Sequence, residues 1–178
     1  ADATYQWIYT YTISAPVWSV PADGESTIAC VDDLVQPTPP VVTDNCGRNV
    51  PAVLTGQTAT PVCNGTKTYT FTYTDCSNAS QTWNHVVTIS APVVVMPDPD
   101  GSIVACIDLA TEPIPPAVND NCERLLTVSD GVPSELTECF GTKTWTFTYT
   151  DCADETYQWV YTYTISAPVW SVPVAGAS

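Results

Sequence analysis

Between Lys67 and Asp75 the chain alternates without a break, with Tyr69, Phe71 and Tyr73 on one side and Thr68, Thr70, Thr72 and Thr74 on the other. Successive side chains of a strand point to opposite faces of a sheet, so a period of two marks a half-buried β-strand. Lys143–Asp151 repeats the pattern with Trp145, Phe147 and Tyr149. A second alternating strand is predicted at residues 5–13, 81–89 and 157–165, and shorter strands at Thr27–Val31 and Ile103–Ile107. Proline donates no ladder hydrogen bond, so Pro37-Thr38-Pro39-Pro40 and Pro113-Ile114-Pro115-Pro116 mark an edge or a crossover. No stretch carries a helical period. Many short strands with regular turn signals predict an all-β chain with a β-sandwich in each unit.

The units repeat. Ile13-Ser14-Ala15-Pro16 recurs at Ile89–Pro92 and at Ile165–Pro168, steps of 89 − 13 = 76 and 165 − 89 = 76 residues. Residues 13–88 and 89–164 align without a gap and share 32 of 76 positions, which is too many for two unrelated sandwiches. The expected organisation is residues 1–12 as the last strand of a preceding repeat, 13–88 and 89–164 as two repeats, and 165–178 as the start of a following one. Residues 1–21 match 153–173 except at Ala3/Glu155 and Ile8/Val160, which implies a super-period of 2 × 76 = 152 residues with two alternating unit types. Almost no linker separates the units. Pro fixes its own backbone angle, so the Ser-Ala-Pro junctions predict an extended rod.

Composition narrows the function. The formal net charge is −15, with four basic residues, which opposes binding to nucleic acid phosphates and to anionic membranes. No apolar run approaches the roughly 20 residues of a membrane helix, so no membrane insertion is expected. The eight cysteines form no Cys-x-x-Cys pair, and His85 is the single histidine. Disulfides in an oxidising, extracellular compartment follow, and no free thiol is expected. In the register of 76, Cys30, Cys46, Cys63 and Cys76 correspond to Cys106, Cys122, Cys139 and Cys152. Four cysteines per repeat allow three pairings. Asp44-Asn45-Cys46 and Asp75-Cys76 are expected in loops at one end of the sandwich, which favours Cys46–Cys76 and leaves Cys30–Cys63, with the same in the second repeat.

Thr43-Asp44-Asn45-Cys46-Gly47, followed by the strand from Gly65 to Asp75 and then Cys76, resembles the hyalin-repeat (HYR) family of immunoglobulin-like modules. The cysteine-rich form is similar to tandem HYR-like repeats of large secreted surface proteins of Bacteroidota-type bacteria. The resemblance implies adhesion and surface stalks or fibres. Four cysteines per unit and Thr-rich strands depart from the animal modules, so receptor roles do not carry over.

The remaining chemistry is sparse. Asp44, Asp75, Asp120 and Asp151 recur in register and could gather around calcium, but Arg48 beside Asp44 favours local Asp–Arg pairs and Asx-turns, and no cofactor is expected. Asn64-Gly65-Thr66 and Asn78-Ala79-Ser80 are glycosylation sequons at expected turns. His85 is replaced by Tyr161 in the next repeat, and a Ser or Cys nucleophile would lack a base, so the chain reads as no enzyme. The first expectation is a structural segment of an extracellular stalk or filament, partnered head-to-tail by copies of the same repeat. The alternative is an adhesin module that recognises glycan or protein through Trp7, Trp18, Trp159 and Trp170 and through the segment Asn49–Val62. All 14 positions of that segment differ from 125–138, as expected for an exposed loop.

Overall fold

The computed structural model describes residues 2–136 and 139–171. The strands are β1 (Gly24–Ile28), β2 (Val42–Thr43), β3 (Asn49–Val50), β4 (Ala52–Gln57), β5 (Gly65–Thr74), β6 (Ser80–Ile89), β7 (Asp100–Val104), β8 (Thr127–Val128), β9 (Val132–Pro133), β10 (Gly141–Thr150) and β11 (Thr156–Ile165). The only helical pieces among the described residues are the 3₁₀ turns Val31–Asp33 and Ile107–Leu109. The chain forms two compact units. The first holds Ala1–Thr27, Leu34–Thr60 and Thr66–Thr88, and the second holds Ile28–Asp33, Pro61–Gly65 and Ile89–Ser178.

In the first unit the sheet order is β1-β6-β5-β4, with β2–β3 as a separate antiparallel ribbon. The alternation of β5 decides the core. Tyr69, Phe71 and Tyr73 are buried, while the threonines between them are half-exposed. Val42 and Val50 of the ribbon are buried too, and the Tyr73 hydroxyl donates to the Pro40 carbonyl, which ties the proline-rich segment over the sheet. This is the second layer of a β-sandwich.

The second unit repeats the plan, with order β7-β11-β10-β8 and β9 also on β10. β10 and β11 are antiparallel over ten residue pairs, Gly141↔Ile165 to Thr150↔Thr156, and β7 runs parallel to β11. Phe147 faces Trp159, with ring centroids 5.8 Å apart, in a core completed by Val118, Leu126 and Tyr149. The Tyr149 hydroxyl reaches the Pro116 carbonyl at 2.7 Å, as Tyr73 does in the first unit.

Three expectations need correcting. The short strands lie about three residues earlier than Thr27–Val31 and Ile103–Ile107. Pairing ends where Ser90 N bonds Ile28 O and Ser166 N bonds Val104 O, and the chain then coils into the 3₁₀ turns. Residues 5–13 form no strand at all. Asn49–Val62 is no free loop: it supplies β3 and β4, and β4 pairs with β5 through a bulge between Leu54 and Gly56. β4 lies at the sheet edge, held by main-chain bonds that constrain side chains little, which accounts for its divergence from 125–138.

Candidate functional site: two clasped loops and a double disulfide

Each repeat carries two tight loops that each contain a cysteine, and a buried aspartate organises each. In the first loop, Asp44 Oδ1 accepts from Cys46 N at 2.8 Å and Arg48 N at 2.9 Å, and Oδ2 accepts from Arg48 Nε at 2.8 Å. Gly47 has a φ of 75°, which lets the loop turn back so that Asp44 N meets Arg48 O. Asp120 rebuilds the arrangement with Cys122 N at 2.8 Å, Arg124 N at 3.0 Å and Arg124 Nε at 2.8 Å, and Glu123 takes the left-handed position at 61°.

The second loop uses Asp75. Its Oδ1 accepts from Ser77 N, Ser77 Oγ and Ala79 N at 2.7–2.9 Å, and its Oδ2 accepts from Trp18 Nε1 at 2.8 Å. Asp151 accepts from Ala153 N and Glu155 N, and from the Tyr157 hydroxyl at 3.2 Å. The two repeats therefore satisfy one oxygen by different routes. Where the first has Trp18 and Gln81, the second has Val94 and Tyr157, an exchange of donors across the register of 76.

These bonds fix the charge states. Burial alone would raise the Asp75 carboxyl; the Ser77 hydroxyl, the Trp18 indole and the Ala79 and Ser77 amides outweigh it and hold it at about 2. Asp44 is lowered by the Arg48 amide above all, against a smaller opposing effect of burial. Asp120 is lowered too, its burial overcome by the Arg124 and Cys122 amides and the Arg124 side chain. Arg48 is raised chiefly by its hydrogen bond to Asp44.

A calcium site at Asp44, Asp75, Asp120 and Asp151 does not fit this donor set. Every one of these carboxylates already accepts two or more protein N–H or O–H groups, and Arg48 and Arg124 supply the counter-charge to Asp44 and Asp120. Among the described residues no three His, Cys, Asp or Glu side chains gather to hold a metal ion.

The cysteines are paired differently from the expectation. Cys30 is bonded to Cys122, with Cα atoms 5.6 Å apart, and Cys63 to Cys152, with Cα atoms 5.5 Å apart. Both bridges fall inside the second unit, which takes in Ile28–Asp33 and Pro61–Gly65 of the first repeat. The expected Cys46–Cys76 and Cys30–Cys63 pairs do not form, and Cys46, Cys76, Cys106 and Cys139 are exposed free thiols, against the expectation of none. The pairing at one end of a sandwich failed because the chain leaves β1 at Ile28, and Cys30 lies in the Ile28–Asp33 piece that belongs to the second unit. There its Sγ lies 3.9 Å from Asn121 O, and Cys122 Sγ lies 3.6 Å from Ala29 O.

Two further devices escaped the sequence reading. Asn45 grips the segment entering its unit from both sides: Asn45 N donates to Val17 O and Val17 N donates to Asn45 Oδ1, both at 3.0 Å. Asn121 does the same to Val93 at 2.9 and 2.8 Å. The repeated Asp-Asn-Cys-x-Arg string was the available signal. Lys67 is buried, and its Nζ bonds Thr58 O at 2.7 Å and Thr60 Oγ1 at 3.1 Å, so that it pins the segment just after β4. Two aromatics assigned to ligand recognition are committed elsewhere, Trp18 to Asp75 and Trp159 to the core, whereas Trp7 and Trp170 are exposed. His85 lies in β6 with Nε2 3.0 Å from Ser26 Oγ. Asn64 and Asn78 are both exposed at turns.

No curated protein matches the chain. A family profile, the HYR-like domain with 4 cysteines, matches residues 18–89 and 94–165. Such domains are non-catalytic, typically extracellular and associated with adhesion. With two consecutive copies spanning most of its length, each carrying the four cysteines in the same register, the chain belongs to the family of HYR-like domains with 4 cysteines.

Proposed function

We propose that this chain is a structural segment of an extracellular surface stalk or filament, of the kind built by secreted bacterial surface proteins of the Bacteroidota type. One observation carries the reading: both disulfides bond a cysteine of one repeat to a cysteine of the next. A binding module needs its staples inside itself. A load-bearing array needs them from repeat to repeat, because a peptide junction alone leaves each module free to unfold separately under tension. The gapless step of 76 residues and the absence of a flexible linker support the same reading. The glycan- or protein-binding alternative loses Trp18 and Trp159, which are occupied within the fold.

The test is electron microscopy of the native material, with denaturing electrophoresis before and after reduction. Long thin fibres and a reduced species far heavier than 19.1 kDa are expected. Globular particles that bind a glycan array would favour the adhesin module instead.

A further inference from the structure

The two observed bridges obey one rule. Cys122 stands 76 residues after Cys46, and Cys152 stands 76 after Cys76. Each repeat therefore offers its first and third cysteines forward and receives through its second and fourth. The four free thiols are the members that this rule leaves over. Cys46 and Cys76 are receivers, and Cys106 and Cys139 are donors.

Local geometry shows that each free cysteine is already placed like its bonded counterpart. Cys46 and Cys122 sit in the same aspartate-clasped loop, with N–H bonds of 2.8 Å to Asp44 and Asp120. Cys76 and Cys152 follow Asp75 and Asp151, whose amides close the same turn on Ala79 O and Glu155 O at 3.0 Å each. Cys30 and Cys106 each precede a 3₁₀ turn closed by a 3.1 Å bond, Asp33 N to Cys30 O and Leu109 N to Cys106 O. Cys63 and Cys139 stand two residues before Gly65 and Gly141, whose φ angles are 134° and 130°. The receiving loops also share one end of the first unit, where a cleft is lined by Asp44, Arg48, Asp75 and Cys76.

We propose that Cys46 and Cys76 are disulfide acceptors for a preceding copy of the repeat and that Cys106 and Cys139 are donors to a following one, so that two disulfides cross every junction and the array is a covalent ladder. The proposal extends the stalk reading and rests on it for the identity of the neighbour. Each bridge forms when two thiols give up two protons and two electrons to a disulfide oxidant: Cys106–SH + Cys46–SH + R–S–S–R → Cys106–S–S–Cys46 + 2 R–SH. The first thiolate attacks R–S–S–R and expels R–SH, and the second displaces the other R–SH from the mixed disulfide. In such a ladder, load in an unfolded repeat passes from Cys139 to Cys152, 152 − 139 = 13 residues, rather than through all 76. At roughly 3.4 Å per extended residue, the oxidised array would stretch about sixfold less than the reduced one.

Two variants of the chain test the rule, Cys46→Ser/Cys76→Ser, which keeps the donors, and Cys106→Ser/Cys139→Ser, which keeps the receivers. All four side chains are exposed, so the changes leave the core intact. Each variant is incubated with oxidised glutathione, alone and mixed, with one partner carrying nitrogen-15. Only the mixture should give a product of doubled mass on non-reducing electrophoresis, with two thiols lost per partner. Tryptic mapping should join residues 125–143 of the donor variant to 68–124 of the other. Homodimers as abundant as heterodimers would overturn the rule. So would loss of the Cys46 and Cys76 thiols without a change in mass, which would mean closure within one chain. If heterodimers form but the native material is globular, the stalk reading fails and the junction stands. If fibres are seen but no heterodimer forms, the stalk stands and the ladder fails.

Discussion

Residues 4–13 and 156–165 differ at one position, Ile8 against Val160, yet only the second segment is a strand. In β11, Trp159, Tyr163 and Ile165 are 4%, 9% and 3% exposed; their counterparts Trp7, Tyr11 and Ile13 are 83%, 80% and 93% exposed. Local propensity is the same in both, so it decides neither. The difference is the partner. β11 lies between β10 and β7 and completes both ladders, whereas no strand among the described residues flanks 4–13. A single strand leaves its N–H and C=O groups to water and gains no burial, so alternation describes a surface that needs a match and not a structure.

The comparison can be broken most forcefully at the start of β11. Cys152 lies four residues before Thr156, and its bridge to Cys63 anchors the point from which the strand begins. Closing a loop of 89 residues contributes about 4–5 kcal/mol in the chain-entropy description. Cys63→Ser/Cys152→Ser should lose about that much stability in urea unfolding without reductant. An unchanged midpoint would mean that the ladders to β10 and β7 hold β11 without the bridge.

The next effect tests the two segments directly. Trp159→Ala empties a site beside Phe147 and should cost about 3–5 kcal/mol, while Trp7→Ala removes an exposed ring and should stay within about 0.5 kcal/mol. Equal costs, measured as shifts in denaturation midpoint, would show that residues 4–13 pack in solution after all.

The contrast also explains what was legible in the sequence. The period of two located β5, β6, β10 and β11 almost to the residue, and it placed Tyr69, Phe71 and Tyr73 inward, because burial of one face is written in the side chains themselves. It placed residues 5–13 wrongly because pairing is a property of two segments and the pattern reports one. The cysteine positions were plain and their partners were not. Spacing within a repeat gives no sign that the chain leaving β1 carries Cys30 toward Cys122. The aspartates recur in register, and their partners, the amides two and four residues onward, are local enough for Asx-turn chemistry to anticipate.

A smaller effect, present in full at neutral pH and lost in acid, belongs to the second loop. The Asp75 carboxyl titrates at about 2 in the folded chain against an ordinary 3.8. A carboxyl with a depressed folded value stabilises the fold above its unfolded value, and that stabilisation disappears as pH falls from about 4 toward about 2. Carbon-13 titration of the folded chain should find the Asp75 midpoint near 2, and Trp18→Phe should move it upward, since the indole N–H is one of the groups that outweigh burial. A midpoint indifferent to Trp18→Phe would remove the indole from the account.

The smallest effect returns to the twin segments, at Tyr157 and Tyr5. Tyr157 donates its hydroxyl to Asp151 at 3.2 Å, whereas Tyr5 is 94% exposed. Burial, then the Asp151 charge and the hydrogen bond to it, raise the Tyr157 phenol above its usual value. The sign follows from the neutral phenol being the favoured form. Stability from this contact is fully present below the ordinary tyrosine range of about 10 and is lost as pH rises through the elevated folded value, where phenolate and carboxylate repel. In an ultraviolet alkaline titration of the folded chain, Tyr157→Phe should remove one late-ionising phenol. At neutral pH the Tyr157 change should lower the urea midpoint slightly, because Asp151 Oδ2 loses its donor, and the Tyr5 change should not. If Tyr5→Phe lowered the urea midpoint as Tyr157→Phe does, residues 4–13 would be occupying a β11-like place beside another copy of the repeat, and the same variant would report that assembly by losing its effect on dilution.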